Sequence, residues 1–287
     1  MFHIKDDVLN SLETNPWKRL RYRFIRIITS PVRMLRALFL ITGALFWSGI
    51  TALAIGGYFV LESLPNFTEI GFTGAKQAAT QRIEQRIENS DDPKLATYQW
   101  TSLANVNREL LYAIVMSEDG DFFSHQGIDY DALMNALGEN IKRQEWSFGA
   151  STISQQTIKN IYLTSDKTLY RKLTEVVITQ RLEKALSKNE ILELYLNIIE
   201  FGPNLYGIHA ASQYYFNTTP DKINGAQGAF LAILMPSPRK YHFSIYKNQY
   251  FAPRHKRKFR RILQDMAYKE YISPAQYDRY LNWPFFR

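Results

Sequence analysis

TLYRKLTEVVITQRLEKALSKNE, residues 168–190, decides the fold class. On a helix beginning near Thr168, Glu175 shares a stripe with Ile178, Leu182 and Leu186, while Leu169, Leu173, Val176 and Val177 cover the opposite side. A helix apolar on both sides is expected to be buried, and a buried carboxylate needs a partner. Arg171, four residues before Glu175 on the same face, supplies one. A plain i,i+4 ion pair explains that spacing as well as a functional site does. Ser187-x-x-Glu190 then reads as a capping box that opens a further helix.

The same punctuation recurs on either side. Thr152-x-x-Gln155 reads as another capping box, and Ser273-Pro274 as an N-cap followed by proline at the first helical position. Leu110, Leu111, Ile114 and Val115 make one apolar face that delivers Glu118 just past a helix end; Leu133, Ala136, Leu137 and Ile141 make another. There is no sustained two-residue alternation and no internal repeat, so the part after the N-terminal region is expected to be mainly α.

The chain has 287 residues, 46% of them hydrophobic, enough for a sizeable core. Its formal net charge of +8 raises the question of nucleic acid. The charge is uneven: residues 1–36 hold eight Lys/Arg against three Asp/Glu, and residues 62–287 hold 27 against 24. Ala37 to Leu61 follows the basic run with 25 residues and no charge. At ~1.5 Å per residue a helix of that length crosses a hydrocarbon core of ~30 Å with some tilt. Lys18, Arg19, Arg21, Arg23, Arg26, Arg33 and Arg36 crowd its near side, so by the positive-inside rule the N-terminus stays in the cytoplasm and the rest is exported. A basic tail on anionic lipid headgroups accounts for the charge without nucleic acid. A cleaved signal peptide is the competing reading, through Ala52-Leu53-Ala54, but the leading region is long for one and the apolar run continues to Leu61. Cysteine is absent, which removes disulfides and thiolate metal sites. The expected organisation is a basic cytoplasmic tail over 1–36, a transmembrane helix over 37–61, a connector over 62–98 carrying little chemistry, and one domain over 99–287.

Chemistry concentrates between two glutamates. EDGDFFSHQG at 118–127 places Glu118 and Asp119 where a helix meets a loop, followed by Phe122, Phe123 and His125. Aromatic walls disfavour the charged form of a carboxylate and prepare it for proton transfer, although an exposed Glu-Asp at a helix end is the ordinary alternative. GASTISQQTIKN at 149–160 follows with Ser151, Thr152, Gln155 and Gln156, then Lys159, Lys167, Arg171 and Lys172. Neutral donors suit sugar hydroxyls, cations suit phosphates, and a helix N-terminus adds its pull on anions. A solvated basic face is the bland reading of the cations, and Gln155 has its capping box to complete. The run Pro253 to Arg261 is strongly basic and reads equally as a solvated helix face or a headgroup contact. His125 and His209 have no second ligand at metal-binding spacing and are expected to pack or hydrogen-bond.

Five blocks in order resemble the family 51 glycosyltransferases, which join lipid II units into peptidoglycan strands. They are EDGDFFSHQG at 118–127, GASTISQQTIKN at 149–160, RKLTE at 171–175, SKNEILELYLNIIEFG at 187–202 and GIHAASQYYF at 207–216. The matched region, about residues 100–241, is half the chain, and the layout is most similar to the monofunctional biosynthetic transglycosylases. The resemblance implies a two-lobed, lysozyme-like, mainly helical domain whose smaller lobe presses an apolar surface into the bilayer.

It further implies that Glu118 is the general base for the acceptor's 4-hydroxyl, with inversion and release of undecaprenyl pyrophosphate. Glu175 is implied to organise the pyrophosphate, directly or through a divalent cation such as Mg²⁺. Lys159, Lys167, Arg171 and Lys172 would neutralise phosphate charge, and Asp119, Ser151, Thr152, Gln155 and Gln156 would bind substrate. The implied partners are lipid II, the growing lipid-linked strand, the plasma (inner) membrane and other cell-wall synthases.

Gly120 and Asp121 depart from the family pattern, which has a basic residue there in many members, and Thr174 stands where some have lysine. Ser237-Pro238-Arg239-Lys240 and Ser187-Lys188-Asn189 fit two transpeptidase motifs, yet no K-T-G follows and fewer than 50 residues remain, so no such domain is expected. Two other readings compete: a hydrolase of lysozyme-like fold, which has no use for the cations at 159–172, and a lipid II-binding scaffold without turnover.

Overall fold

The computed structural model describes residues 16–28, 31–89, 98–143, 151–163, 166 and 168–285. They fall into two units, Met1–Leu64 and Pro65–Arg287. The first contains α1 (Pro16–Ile28) and α2 (Pro31–Ser63). The apolar run over 37–61 lies wholly within α2, which starts earlier because Pro31 is a favourable first helical residue. With 33 residues and a mean hydropathy of 2.0 in its most apolar window, α2 is long and apolar enough to cross a membrane. Its few polar groups are satisfied within the helix: the hydroxyls of Thr42, Ser48 and Thr51 donate to the carbonyls of Leu38, Ala44 and Trp47 at 2.9, 2.6 and 2.8 Å.

In the second unit the connector expected over 62–98 proves to be structural over much of its length. Residues Phe67–Glu88 form α3, broken at Gly71, whose φ of 58° is open to glycine without strain. Phe67, Ala75, Ala79 and Ile83 are fully buried. A stripe built of alanines looks polar in sequence yet fits closely against neighbouring helices. Residues 90–97 lie outside the described residues.

The described residues of the domain are then mainly helical. Its main elements are α4 (Arg108–Glu118), α5 (Tyr130–Arg143), α6 (Ile153–Tyr162), α7 (Leu169–Ala185), α8 (Lys188–Ile198), α9 (Ile208–Phe216), α10 (Gly225–Leu234), α11 (Pro238–Tyr241), α12 (Pro253–Tyr268) and α13 (Pro274–Leu281). Both predicted capping boxes are present at Thr152 and Ser187, and Ser273 caps α13 ahead of Pro274. One short antiparallel hairpin, β1 (Glu200–Gly202) with β2 (Leu205–Tyr206), interrupts the helices and is too brief to register as alternation in sequence.

The core forms around α10, GAQGAFLAIL, which packs on α4, α12 and α13. Its approach to α4 depends on Gly228, where a Cβ would sit 2.8 Å from Leu110 Cα. The amide of Gly225 donates to Glu109 Oε2 at 2.8 Å, and the same carboxylate accepts from Tyr280 Oη at 2.6 Å, so α4, α10 and α13 are tied at one point. A second layer packs α6 on α7 and α8, with α3 laid across all three. Arg82 and Arg86 of α3 donate to the carbonyls of Leu163 and Asn160 at 3.4 and 3.2 Å and so occupy the otherwise unmet acceptors at the end of α6.

Two apolar faces do not enter the core. On α7 the stripe of Glu175, Ile178 and Leu182 is buried as expected, but Leu169 and Leu173 are 76% and 59% exposed. The expectation of a helix buried on both sides is therefore corrected. Likewise α5 has the predicted apolar periodicity, yet Tyr130, Met134 and Ile141 are exposed. Periodicity identifies a face, whereas what covers it is a tertiary matter.

Candidate active site

Asn107 caps α4 by accepting the Glu109 amide at 2.9 Å, and five buried residues from Leu110 to Val115 fix its rotation. The helix ends on Glu118, at the wall of a cleft of about 560 Å³ that also includes Ser117, Gly120, Asp121, Ser151 and Arg261. Three groups surround the carboxylate: Ser117 Oγ at 3.3 Å, Gln156 Nε2 at 3.4 Å and Lys258 Nζ at 3.8 Å. Behind Gln156, Tyr195 Oη donates to Oε1 at 3.1 Å. Burial, then the carboxylates of Glu118 and Asp119, hold the Tyr195 phenol well above its ordinary pKa, so it remains a donor. That donation assigns the Gln156 amide, turning its NH₂ group toward Glu118.

The aromatic wall expected around Glu118 is placed elsewhere. Phe122 is fully buried, edge-on to Phe123 and His125, with the Lys188 ammonium 4.5 Å from its ring centroid. Three residues expected to bind substrate also hold the local backbone with their side chains. Asp119 is buried, its oxygens 2.9 and 3.1 Å from His125 Nε2, and it accepts the Ile153 amide at 2.9 Å. Thr152 and Gln155 complete the capping box of α6, and Thr152 Oγ1 donates to the Gly127 carbonyl at 2.6 Å. Each meets the unpaired amides or nearby carbonyls at a helix start that would otherwise be buried without partners. Asp119 and Thr152 also line the cleft.

Ser151 and Gln156 connect Glu118 to a cationic cluster. Gln156 Nε2 also lies 3.3 Å from the Ser151 carbonyl, and Lys172 Nζ donates to Ser151 Oγ at 3.3 Å. Lys172 and Arg171 in turn hold the buried Glu175; Arg171 Nη1 is 2.7 Å from Oε2, and Lys172 contacts Oε1. The predicted i,i+4 pair is thus present, but it is part of a larger group. Lys159, an exposed residue, lies beside it. Desolvation by burial holds its pKa below the usual lysine range; Glu175 opposes, while Arg171 and Lys172 reinforce the shift. Three cations around one carboxylate leave a positive surplus, and the Nε of Arg171 is buried without an acceptor among the described residues. Such a cluster is suited to a phosphate or pyrophosphate. Lys167 lies outside the described residues.

A divalent cation held by Glu175 does not fit this donor set. Both carboxylate oxygens already face cations, and among the described residues no three His, Asp or Glu side chains gather as a metal site.

The family model described as Transglycosylase matches residues 84–267, which contain both glutamates, the cationic cluster and all but the last residue of α12. The chain belongs to the transglycosylase family. Relatives agree. A biosynthetic peptidoglycan transglycosylase of Chromobacterium violaceum is 40% identical over 185 residues, covering 64% of this chain and 79% of the relative. Proteins of the same name from Nitrosospira multiformis and Acinetobacter baylyi are 41% and 40% identical over 160 and 181 residues. They cover 56% and 63% of this chain, and 69% and 79% of their own lengths.

One wall of the transglycosylase cleft was not anticipated. In α12, His255, Phe259, Ile262 and Met266 are buried, which places Lys258, Arg261 and Asp265 on the adjoining stripe beside Met116 and Ser117. Lys258 is half-buried and held below the usual lysine range by burial, with Glu118 opposing and Arg261 reinforcing the shift. The basic run at 253–261 is therefore not a uniformly solvated face. Its amphipathic spacing was the available signal. At the end of α12, Lys269 lies 3.8 Å from Asp121, so a cation borders the Gly120–Asp121 segment.

Proposed function

We propose that this transglycosylase polymerises lipid II into peptidoglycan glycan strands, and that Glu118 is its general base. The observation that carries the reading is the pairing of one cleft carboxylate with a separate cationic cluster through Gln156 and Ser151. Chemistry on a sugar with a pyrophosphate leaving group needs both. Glu118 takes the proton of the acceptor's 4-hydroxyl as that oxygen attacks the donor's anomeric carbon. The bond to pyrophosphate breaks with inversion, and its electron pair leaves on undecaprenyl pyrophosphate. No covalent enzyme intermediate is needed. Arg171, Lys172 and Lys159 neutralise charge on the departing phosphates. Glu175 holds two of these cations in place, and Lys258 and Gln156 orient the base. A Mg²⁺ requirement belongs in this reading to the substrate's own phosphates.

The exposed apolar residues of α5 and of the start of α7 fit a domain that meets the bilayer from which a lipid-linked substrate is drawn. With α2 as anchor, the positive-inside rule puts the N-terminus in the cytoplasm and the catalytic domain on the outer side of the plasma membrane. Other cell-wall synthases are the expected neighbours.

The test is the full-length protein in detergent with labelled lipid II, alongside Glu118→Gln, with products resolved by size. A polymer ladder from the native protein alone supports the reading; equal ladders from both would remove Glu118 from the mechanism.

A further inference from the structure

Two residues ahead of the apolar helix α2 lies a helix of very different character, α1, PWKRLRYRFIRII. It contains no acidic residue and five basic ones: Lys18, Arg19, Arg21, Arg23 and Arg26. At about 100° per residue Trp17, Leu20 and Phe24 fall within an arc of roughly 60°. All three are largely exposed, at 78%, 62% and 66%. Arg21 and Arg23 flank that stripe on its two sides, while Lys18, Arg19 and Tyr22 point away from it. A soluble helix hides such a stripe against a core; here it is presented beside a membrane-spanning segment, with cations at both margins.

We infer that α1 lies in the plane of the anionic lipid surface from which α2 enters the bilayer. Trp17, Leu20 and Phe24 sink among the upper acyl carbons, and Arg21 and Arg23 reach lipid phosphates. The amphipathic arc selects a boundary between apolar and aqueous phases. The absence of any acid selects one that is negatively charged. Proximity to α2 then keeps the helix at that boundary continuously, so weak affinity suffices. Arg33 and Arg36, in the first turns of α2, extend the same positive band. The inference rests on reading α2 as a membrane span.

The absence of cysteine makes the test direct, because a single introduced thiol carries the only label. Full-length Phe24→Cys, Tyr22→Cys and Ser48→Cys proteins, each bearing an environment-sensitive fluorophore, are placed in phosphatidylcholine nanodiscs with or without phosphatidylglycerol. Acrylamide reports access from water, and lipids carrying a shallow spin label report depth. With phosphatidylglycerol present, the label at 24 is expected to be severalfold less accessible to acrylamide than the label at 22 and to be quenched by the shallow spin label. Arg21→Gln/Arg23→Gln should reverse that protection. Equal access at 22 and 24, with the label at 48 shielded, overturns the placement of α1 while leaving the span intact. Protection at 24 that is unchanged without phosphatidylglycerol overturns the choice of anionic lipid. Access at 48 removes the span itself, and this inference with it.

Discussion

Replacing Arg171 with methionine separates ion pairing from substrate binding at the cationic end of the site. Arg171 Nη1 is 2.7 Å from Glu175 Oε2, and the two side chains are 18% and 3% exposed. Removing one member of a buried pair leaves an uncompensated charge and costs about 3–5 kcal/mol. Lys172 still faces the other oxygen of Glu175, so the lower end, about 3 kcal/mol, applies. In a folded unit of this size each 1 kcal/mol moves the melting temperature by about 2–4 °C, so Arg171→Met should melt about 6–12 °C lower. Arg171→Met/Glu175→Met replaces the pair with apolar side chains of comparable volume and should recover most of that loss. Polymerisation behaves differently. Both variants lack the guanidinium proposed to hold phosphate, so both stay slow. Melting is followed by tryptophan fluorescence in detergent, and turnover by the glycan ladder from labelled lipid II. A double variant that regains rate along with stability would refute the phosphate role and leave the ion pair as the whole explanation.

Glu118→Gln keeps the side chain's shape but not its basicity; turnover should fall about 10²–10⁴-fold with an unchanged melting temperature, and a smaller loss in single-turnover measurements would assign the proton to another group. Lys258 is held below the ordinary lysine range, first by burial, so a reaction that needs its ammonium slows as pH rises through that lowered value. Lys258→Arg, charged throughout, should move the alkaline limb of the pH–rate profile upward, and an unmoved limb would show that a different group sets it. Gly228→Ala forces a methyl to within 2.8 Å of Leu110 Cα and should destabilise the domain by about 1–3 kcal/mol; an unshifted urea midpoint would mean that α4 and α10 can separate freely.

What the sequence disclosed and what it withheld follow from the range of each interaction. The caps at Thr152, Ser187 and Ser273 and the Arg171–Glu175 pair are decided within four residues, and spacing alone revealed them. Lys258 was not legible, because its approach to Glu118 requires α12 to pack against α4. The burial of Asp119 and its bond to the Ile153 amide were not legible either, because Ile153 lies 34 residues further along the chain. The apolar faces of α5 and α7 were correctly periodic, but spacing does not say whether another element covers them, and Met134, Ile141, Leu169 and Leu173 stay exposed. In α3, the alanines at 75 and 79 gave too weak an apolar signal to distinguish a packed helix from a linker.

That helix also separates two kinds of boundary. The family likeness begins at residue 84, whereas every fully buried residue of α3, from Phe67 to Ile83, precedes it. Arg82, one of the two side chains that close the end of α6, precedes it as well. A soluble fragment cut where the likeness starts would bare the apolar groove between α6, α7 and α8 that α3 fills, and would be expected to aggregate. Cut at Pro65, it retains its own lining. Where the family match begins and where the chain must begin in order to fold are therefore different residues, and the second sets where the chain can safely be divided.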